Sequence, residues 1–127
     1  MILVDTSIWI DHFRYGDAEL QKIINDDMLL CHPFVVGELA LGSLRERDAV
    51  LAFLGAQREA MIATHAEVMT IINSHSIFSM GIGYTDAHLL TSTLLDKRSS
   101  LWTRDKRLAA TAQKVGVALH PHAQSSH

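Results

Sequence analysis

Short apolar runs that alternate with amphipathic stretches constrain the fold of this chain more than any other feature. The runs predict strands over residues 2–5, 28–31, 101–103 and 117–119. Helical periodicity and end signals predict helices over residues 6–14, 18–25, 33–44, 45–57, 66–76, 85–95 and 105–115. Strands that alternate with helices predict an α/β fold around a mainly parallel sheet.

Length and composition narrow the class of protein. A chain of 127 residues predicts one domain, expected over residues 1–119, with a polar tail over 120–127. The net charge of −3 gives no bulk attraction to nucleic acid, so any such activity must rest on a local site. The single Cys31 cannot form an internal disulfide. We see no signal peptide and no apolar run that could cross a membrane, so we expect a cytoplasmic protein.

Four carboxylates stand out because of their surroundings. Asp5 ends the first strand, Asp86 follows a glycine loop at a helix start, and Asp105 lies at a strand-to-helix turn. Glu38 is the only ionisable residue of helix 33–44, which is apolar nearly all round and is therefore expected to be buried. A buried Glu needs a partner or a metal ion.

Each acid also has a simpler explanation. Asp105 could cap its helix, and Asp86 could favour a helix N-terminus. Asp5 could accept backbone N–H groups of a turn, and Glu38 could pair with a core Arg or His. Clustered carboxylates, however, repel one another unless a cation neutralises them, and their oxygens suit Mg²⁺ or Mn²⁺. Together they predict metal-assisted hydrolysis of phosphodiester bonds, in which the ion activates a water and stabilises the attacking and leaving oxygens.

Four segments that contain these acids resemble the signature segments of PIN-domain ribonucleases, in the family's order. They read I-L-V-D-T-S-I-W-I, V-V-G-E-L-A-L-G, Y-T-D-A-H-L-L and L-W-T-R-D-K-R-L. The resemblance covers residues 2–119 and is greatest to the VapC-type toxins of bacterial toxin–antitoxin pairs. It implies a three-layer α/β/α fold with a central mainly parallel sheet, so that residues 1–119 would form a PIN-like nuclease domain.

The resemblance also implies roles for individual residues. Asp5 and Asp86 match direct ligands of one or two Mg²⁺ or Mn²⁺ ions. Glu38 and Asp105 match acids that often act through water or a second ion. The hydroxyls that match the lining of the site are those of Thr6, Ser7 and Thr103.

An activity and a set of partners follow from the same resemblance. It implies a toxin that cuts single-stranded or looped RNA internally, leaves 5′-phosphate and 3′-hydroxyl ends, and inhibits translation and growth. It implies a homodimer and a small antitoxin whose C-terminal segment blocks the site. Promoter DNA would be bound only through the antitoxin.

Other residues allow two interpretations each. Arg104 and Lys106 flank Asp105 and could contact RNA phosphates, or could belong to a solvated helix face. Trp9 and Phe13 could pack in the core, or could line an antitoxin groove or a dimer face. The histidines lack a zinc-like spacing and are interpreted as structural or surface residues.

Two other functions compete with the nuclease. In a phosphatase or phosphotransfer domain, Asp5 would be the nucleophile. The haloacid-dehalogenase-type phosphatases, however, expect a second Asp two residues later, where this chain has Ser7. In a non-catalytic binding module, the acids would only stabilise the fold.

Overall fold

A computed structural model of the chain describes residues 1–121, and within them it contains three strands and seven helices. The strands are β1 (Ile2–Val4), β2 (Leu29–Leu30) and β3 (Ser100–Trp102). The helices are α1 (Thr6–Tyr15), α2 (Ala18–Asn25), α3 (Pro33–Leu41), α4 (Arg47–Gly55), α5 (His65–Ser74), α6 (Tyr84–Leu95) and α7 (Lys106–Val115). The predicted α/β fold is confirmed, and it agrees with the three-layer α/β/α arrangement that the resemblance implies.

The three strands form one parallel sheet in the order β2-β1-β3, with β1 in the centre. The chain passes from β1 to β2 on one side and later returns to β3 on the other side of β1. Ligands of open α/β sheets bind at such a change of direction, beyond the carboxyl ends of the strands. The register pairs Val4 with Trp102, and the backbone N–H of Asp5 donates to the carbonyl of Trp102 at 2.9 Å. Asp5 therefore leaves the sheet beside Thr103.

Local sequence signals explain where several helices begin and end. Pro33 is the first residue of α3, as predicted, because its missing N–H has no partner to lose there. Thr64 and Glu67 form a capping box that starts α5. Helix α7 ends at Val115, and the predicted Gly116 follows it with a φ of 85°, a left-handed conformation that glycine adopts most easily.

Two predicted boundaries are wrong. Helix α3 ends at Leu41 rather than near residue 44, because the backbone of Gly42 is extended (φ −88°, ψ −176°) and its N–H donates to the carbonyl of Leu39. The strand predicted over residues 117–119 is reduced to a single parallel bridge between Leu119 and Leu101. Helix propensity and apolar runs carry no information about where such tertiary pairing stops.

The start of the predicted tail is held on the domain. The backbone N–H of His120 donates to the carbonyl of Leu101 at 2.8 Å, and its ring packs edge-on against Trp102 at 5.2 Å between centroids. The Nε2 atom of His120 lies 3.4 Å from the carboxylate of Glu19. His120, the first residue of the predicted tail, therefore lies against the domain, whereas residues 122–127 of that tail lie outside the described residues.

The core lies around the sheet and helix α6. Trp9 on α1 and Trp102 on β3 are almost fully buried, which confirms core packing for Trp9. Every residue from 87 to 93 of α6 is also buried, so Asp86 stands at the entry of a central helix. Within residues 1–121, no helix is long and apolar enough to cross a membrane.

Candidate active site at the carboxyl ends of the strands

Asp5 lies at the centre of the crevice between β1 and β3. Its side chain is 5% exposed. Its Oδ2 accepts hydrogen bonds from Thr103 Oγ1 at 2.7 Å and from Ser7 Oγ at 2.8 Å, and a longer one of 3.4 Å from the Ser7 backbone N–H. All three donors use Oδ2, and within residues 1–121 no donor reaches Oδ1. Three hydrogen bonds fix the orientation of this carboxylate.

The turn after β3 supplies the second acid. The backbone N–H of Asp105 donates to Thr103 Oγ1 at 3.0 Å, so Thr103 links the two acids. Asp105 Oδ1 accepts from the backbone N–H groups of Arg107 at 2.9 Å and Leu108 at 3.2 Å, as an N-cap does. The simpler explanation of Asp105 as a helix cap is therefore confirmed, and its second oxygen can still serve the site.

Glu38 enters from α3, where one sequence expectation fails. The helix is not buried all round: Val35 and Leu39 are buried, while Leu41 is 91% exposed and Glu38 is also exposed. Glu38 therefore needs no buried partner. Its Oε1 accepts a hydrogen bond of 2.7 Å from the Thr6 hydroxyl at the start of α1. The all-round apolar pattern reflects a surface left open beside the site rather than a core helix.

Asp86 shows that the four acids share one electrostatic environment. Burial, together with the negative charges of Asp5, Asp105 and Glu38, raises the pKa of its carboxyl to about 6. A hydrogen bond of 3.5 Å from the Gly83 backbone N–H opposes this rise only weakly. Four acids far apart in the sequence thus act on one another in space.

The donors of this site suit a hard divalent cation. They are carboxylate oxygens, with the hydroxyls of Thr6, Ser7 and Thr103 beside them, which is the chemistry that Mg²⁺ and Mn²⁺ prefer. As the side chains lie, however, no three His, Cys, Asp or Glu residues among residues 1–121 form a group arranged to hold a metal ion. The chemical type of these donors therefore suits a divalent cation. The carboxylates would have to rotate before three of them could contact the same ion.

Arg104 and Lys106 differ sharply in the structure. The guanidinium of Arg104 forms ion pairs of 2.6 Å with both Asp11 and Asp17, and its side chain is only 21% exposed. Two carboxylates thus neutralise the charge of Arg104, and its predicted contact with RNA phosphates stays a prediction. Lys106 is exposed on the first turn of α7.

The sequence interpretation missed Asp11 and Asp17 as partners of that arginine. Burial would raise the pKa of Asp17, but its hydrogen bonds with the Leu20 backbone and Arg104, and the charge of Arg104, hold the pKa below its usual value. Asp17 also caps α2 through Leu20. The cap was a readable signal, whereas the pairing with a residue 87 positions away was not.

Two histidines form a buried aromatic cluster behind Asp86. His32 caps α3 by accepting the Phe34 backbone N–H at 3.0 Å, and burial with the neighbouring His88 lowers the pKa of His32 to about 4. The ring of Phe34 lies 4.5 Å from that of His88, and Tyr84 lies 4.6 Å from it. These contacts agree with the structural interpretation of both histidines.

A groove of about 920 Å³ opens next to Glu38, between α1 and the segment that joins α3 to α4. Phe13 stacks on the buried Trp9 and is itself 36% exposed at this groove. Ile10 and Tyr15 extend the apolar wall. The two interpretations of the aromatic residues thus apply to different residues, since Trp9 belongs to the core and Phe13 to the groove.

Comparison with known proteins agrees with this architecture. The PIN domain model matches residues 2–114. Ribonuclease VapC32 of Mycobacterium tuberculosis is 47% identical over 119 residues, which cover 94% of this chain and 96% of that protein, in both strain H37Rv and strain CDC 1551 / Oshkosh. The chain therefore belongs to the PIN-domain family, and within it to the VapC proteins.

Proposed function

We propose that this protein is a metal-dependent endoribonuclease and the toxin of a toxin–antitoxin pair that inhibits translation and growth. The relative at 47% identity is named a ribonuclease, and its VapC name places it with the toxins that the sequence resembles. The activity belongs in the cytoplasm, where the RNA used in bacterial translation lies.

The hydrogen bonds of Thr103 carry the proposal: its Oγ1 donates to Asp5 Oδ2 and accepts the backbone N–H of Asp105, so two of the four acids stand together at the carboxyl ends of β1 and β3. The pKa of Asp86, raised to about 6 by burial and by the charges of Asp5, Asp105 and Glu38, supports a site that all four acids share. Such a group is costly without a cation. At neutral pH the carboxyl is still mostly ionised, so it can act as a ligand.

Each acid has a role in the proposed site. Asp5 and Asp86 would hold the Mg²⁺ or Mn²⁺ ion directly, and Glu38 and Asp105 would act through water or a second ion. When bound, the ion supplies Lewis-acid activation of water and charge stabilisation at the phosphate. Thr103 and Ser7 hold Asp5 in place from Oδ2, and Oδ1 would remain for the ion. Thr6 holds Glu38 through the bond to Oε1.

Lys106 remains a proposed phosphate contact. It is exposed and stands one residue after Asp105, at the edge of the crevice. When a lysine neutralises a phosphate, the affinity for RNA falls as the salt concentration rises. Replacing Lys106 with Gln should weaken RNA binding and reduce the salt slope by about one, in a titration with a single-stranded RNA.

The antitoxin is proposed to occupy the groove beside Glu38. Its walls combine Ile10, Phe13 and Tyr15 with the charged side chains of Arg14 and Arg45. An extended or helical peptide with apolar side chains and acidic groups fits that chemistry. Glu38 itself lines the groove, so a peptide bound there would reach the catalytic carboxylates and keep RNA away from them.

The assembly is proposed to be a homodimer that binds promoter DNA only through the antitoxin. The net charge of −3 supports the second statement, since the toxin alone offers DNA no general attraction. Light scattering of the purified toxin tests the first. A mobility-shift assay with and without antitoxin tests the second.

The cleavage assay uses the purified protein, a structured RNA, and Mg²⁺ or Mn²⁺. We expect cleavage that EDTA abolishes, that Asp5→Asn abolishes, and that leaves 5′-phosphate and 3′-hydroxyl ends. Asp26→Asn, an exposed acid outside the crevice, removes the same charge and should keep full activity.

Other results would support the competing functions. Cleavage that persists in EDTA or in Asp5→Asn contradicts the four-acid metal site. A covalent phosphoprotein that depends on Asp5 favours the phosphotransfer domain. Binding of RNA with no cleavage under any metal favours the non-catalytic module.

A further inference from the structure

Arg104 joins two parts of the molecule that the sequence keeps far apart. Its guanidinium Nη1 lies 2.6 Å from Asp11 Oδ2 on α1, and its Nη2 lies 2.6 Å from Asp17 Oδ2 at the start of α2. Asp17 and Arg104 are mostly buried, with side chains 14% and 21% exposed, so this pairing is shielded from salt more than a surface pair is. The turn between β3 and α7 is thereby fixed against α1 and α2.

The backbone of the same residue reaches the candidate catalytic acid. The N–H of Arg104 donates to Ser7 Oγ at 3.0 Å, and Ser7 Oγ donates to Asp5 Oδ2 at 2.8 Å. A chain of two hydrogen bonds thus leads from residue 104 to Asp5. The hydroxyl of Ser7 has one proton. Because its oxygen accepts the N–H of Arg104, that proton is directed at the carboxylate of Asp5.

We propose that Arg104 is a positioning residue for the active site, which acts through Ser7 on Asp5 and does not contact RNA. This inference rests on the proposed function. The two ion pairs keep the β3–α7 turn at the distance where the Arg104 N–H meets Ser7. Ser7 in turn holds Oδ2 of Asp5, so that Oδ1 would remain for the cation.

The arrangement explains why an arginine stands at this position. Only a guanidinium offers several N–H donors in a rigid fork, so one side chain can reach two carboxylates on different elements. A lysine carries the same positive charge on a single ammonium group, so it can pair well with only one of these carboxylates. Groups that orient a metal ligand typically change metal affinity or activity by about 10- to 100-fold when they are removed.

The test measures Mn²⁺ binding by calorimetry and RNA cleavage by steady-state kinetics in the same set of full-length variants. We expect Arg104→Gln to weaken Mn²⁺ binding and to lower kcat, each by about tenfold, while KM for RNA and the salt slope of RNA binding stay unchanged. Arg104→Lys should recover part of both losses. The matched control is Arg98→Gln, an exposed arginine just before β3 that should behave as the wild type.

A double-mutant cycle isolates the route through Ser7. If Arg104 acts through that hydroxyl, Arg104→Gln should cause little further loss of Mn²⁺ affinity once Ser7→Ala is present. Fully additive losses would overturn the route. If Arg104→Gln does not fold, Asp11→Asn breaks only the more exposed ion pair and should show the same losses in smaller measure.

The outcomes separate the inference from the proposed function. Unchanged Mn²⁺ affinity with a higher KM and a flatter salt slope would make Arg104 an RNA contact and overturn the inference. Unchanged Mn²⁺ affinity and unchanged kinetics would make it a purely structural residue. If the wild type binds Mn²⁺, Arg104→Gln weakens that binding, and no RNA is cut, then the inference stands and the proposed nuclease function fails.

Discussion

Replacing Asp86 with Asn should stabilise the metal-free protein while it destroys activity. The pKa of this carboxyl rises from 3.8 to about 6, so the folded protein keeps the proton to a higher pH than the unfolded chain does. As pH rises through that interval, the native state must ionise a carboxyl that burial and Asp5, Asp105 and Glu38 disfavour. The stability of the wild type therefore carries a cost that begins near pH 4 and is complete above pH 6.

The size of that cost follows from the change in pKa. A difference of about two pKa units corresponds to about 3 kcal/mol, since each unit is worth about 1.4 kcal/mol. Asp86 keeps part of its exposure to solvent, so we reduce this to about 1–2 kcal/mol. Asn has the same shape and can still accept the Gly83 backbone N–H. The gain should appear as a melting temperature higher by about 3–8 °C at pH 7.5.

The assay is urea unfolding in EDTA between pH 4 and pH 8, followed by fluorescence of the buried Trp9 and Trp102. The quantity of interest is the stability of Asp86→Asn minus that of the wild type. Terms from histidines are common to both proteins and cancel. The difference should be near zero at pH 4 and should rise to its full value above pH 6.

Asp26→Asn is the matched control, because it removes one negative charge at an exposed site. Its difference from the wild type should stay within about 0.5 kcal/mol and should not vary with pH. A flat pH profile for Asp86→Asn, or a loss of stability at pH 7.5, would refute the reasoning. Adding Mn²⁺ should stabilise the wild type more than Asp86→Asn, since only the wild type keeps all four acids.

Three further predictions test other parts of the molecule. Burial lowers the pKa of His32 to about 4, so the free energy of unfolding of the wild type should fall by about 2–3 kcal/mol between pH 7 and pH 4.5 through this group. Urea unfolding of His32→Asn should show a smaller fall, and an equal fall would exclude the imidazole as its source. Tyr15→Ala, at an 80% exposed groove residue, should change stability by under about 0.5 kcal/mol yet weaken antitoxin binding about tenfold in calorimetry, whereas Phe78→Ala, exposed elsewhere, should not. Gly81→Ala should cost about 1–2 kcal/mol in thermal unfolding because φ is 79°, while Gly37→Ala, in open space within α3, should gain a few tenths; equal effects would contradict the strain at residue 81.

The sequence predicted much of the fold because its signals are local. An apolar run that ends in Asp5, a proline that opens α3 and a glycine that closes α7 each act within a few residues. The candidate acids could be predicted for the same reason, since the end of a strand is visible in the chain. Parallel sheets gather such ends at one edge, so the neighbourhood of Asp5 and Asp105 followed from the strand pattern.

The errors concern contacts that the chain makes over long distances. Helix α3 was expected to be buried because it is apolar nearly all round, yet Glu38 and Leu41 face solvent. Periodicity reports which residues are apolar, and it cannot report whether a neighbouring element covers them. The pairing of Arg104 with Asp11 and Asp17 was missed because those two residues lie about ninety positions away in the sequence.

By itself, then, the sequence determined the alternating elements, their caps and the family to which the chain belongs. Only the tertiary structure decided which oxygen of Asp5 is held by Thr103 and Ser7, and that Arg104 pairs with Asp17. It also decided the pKa of Asp86. The physical reason is that hydrogen-bond direction, burial and charge repulsion depend on distances in space, which folding sets between residues that the sequence leaves far apart.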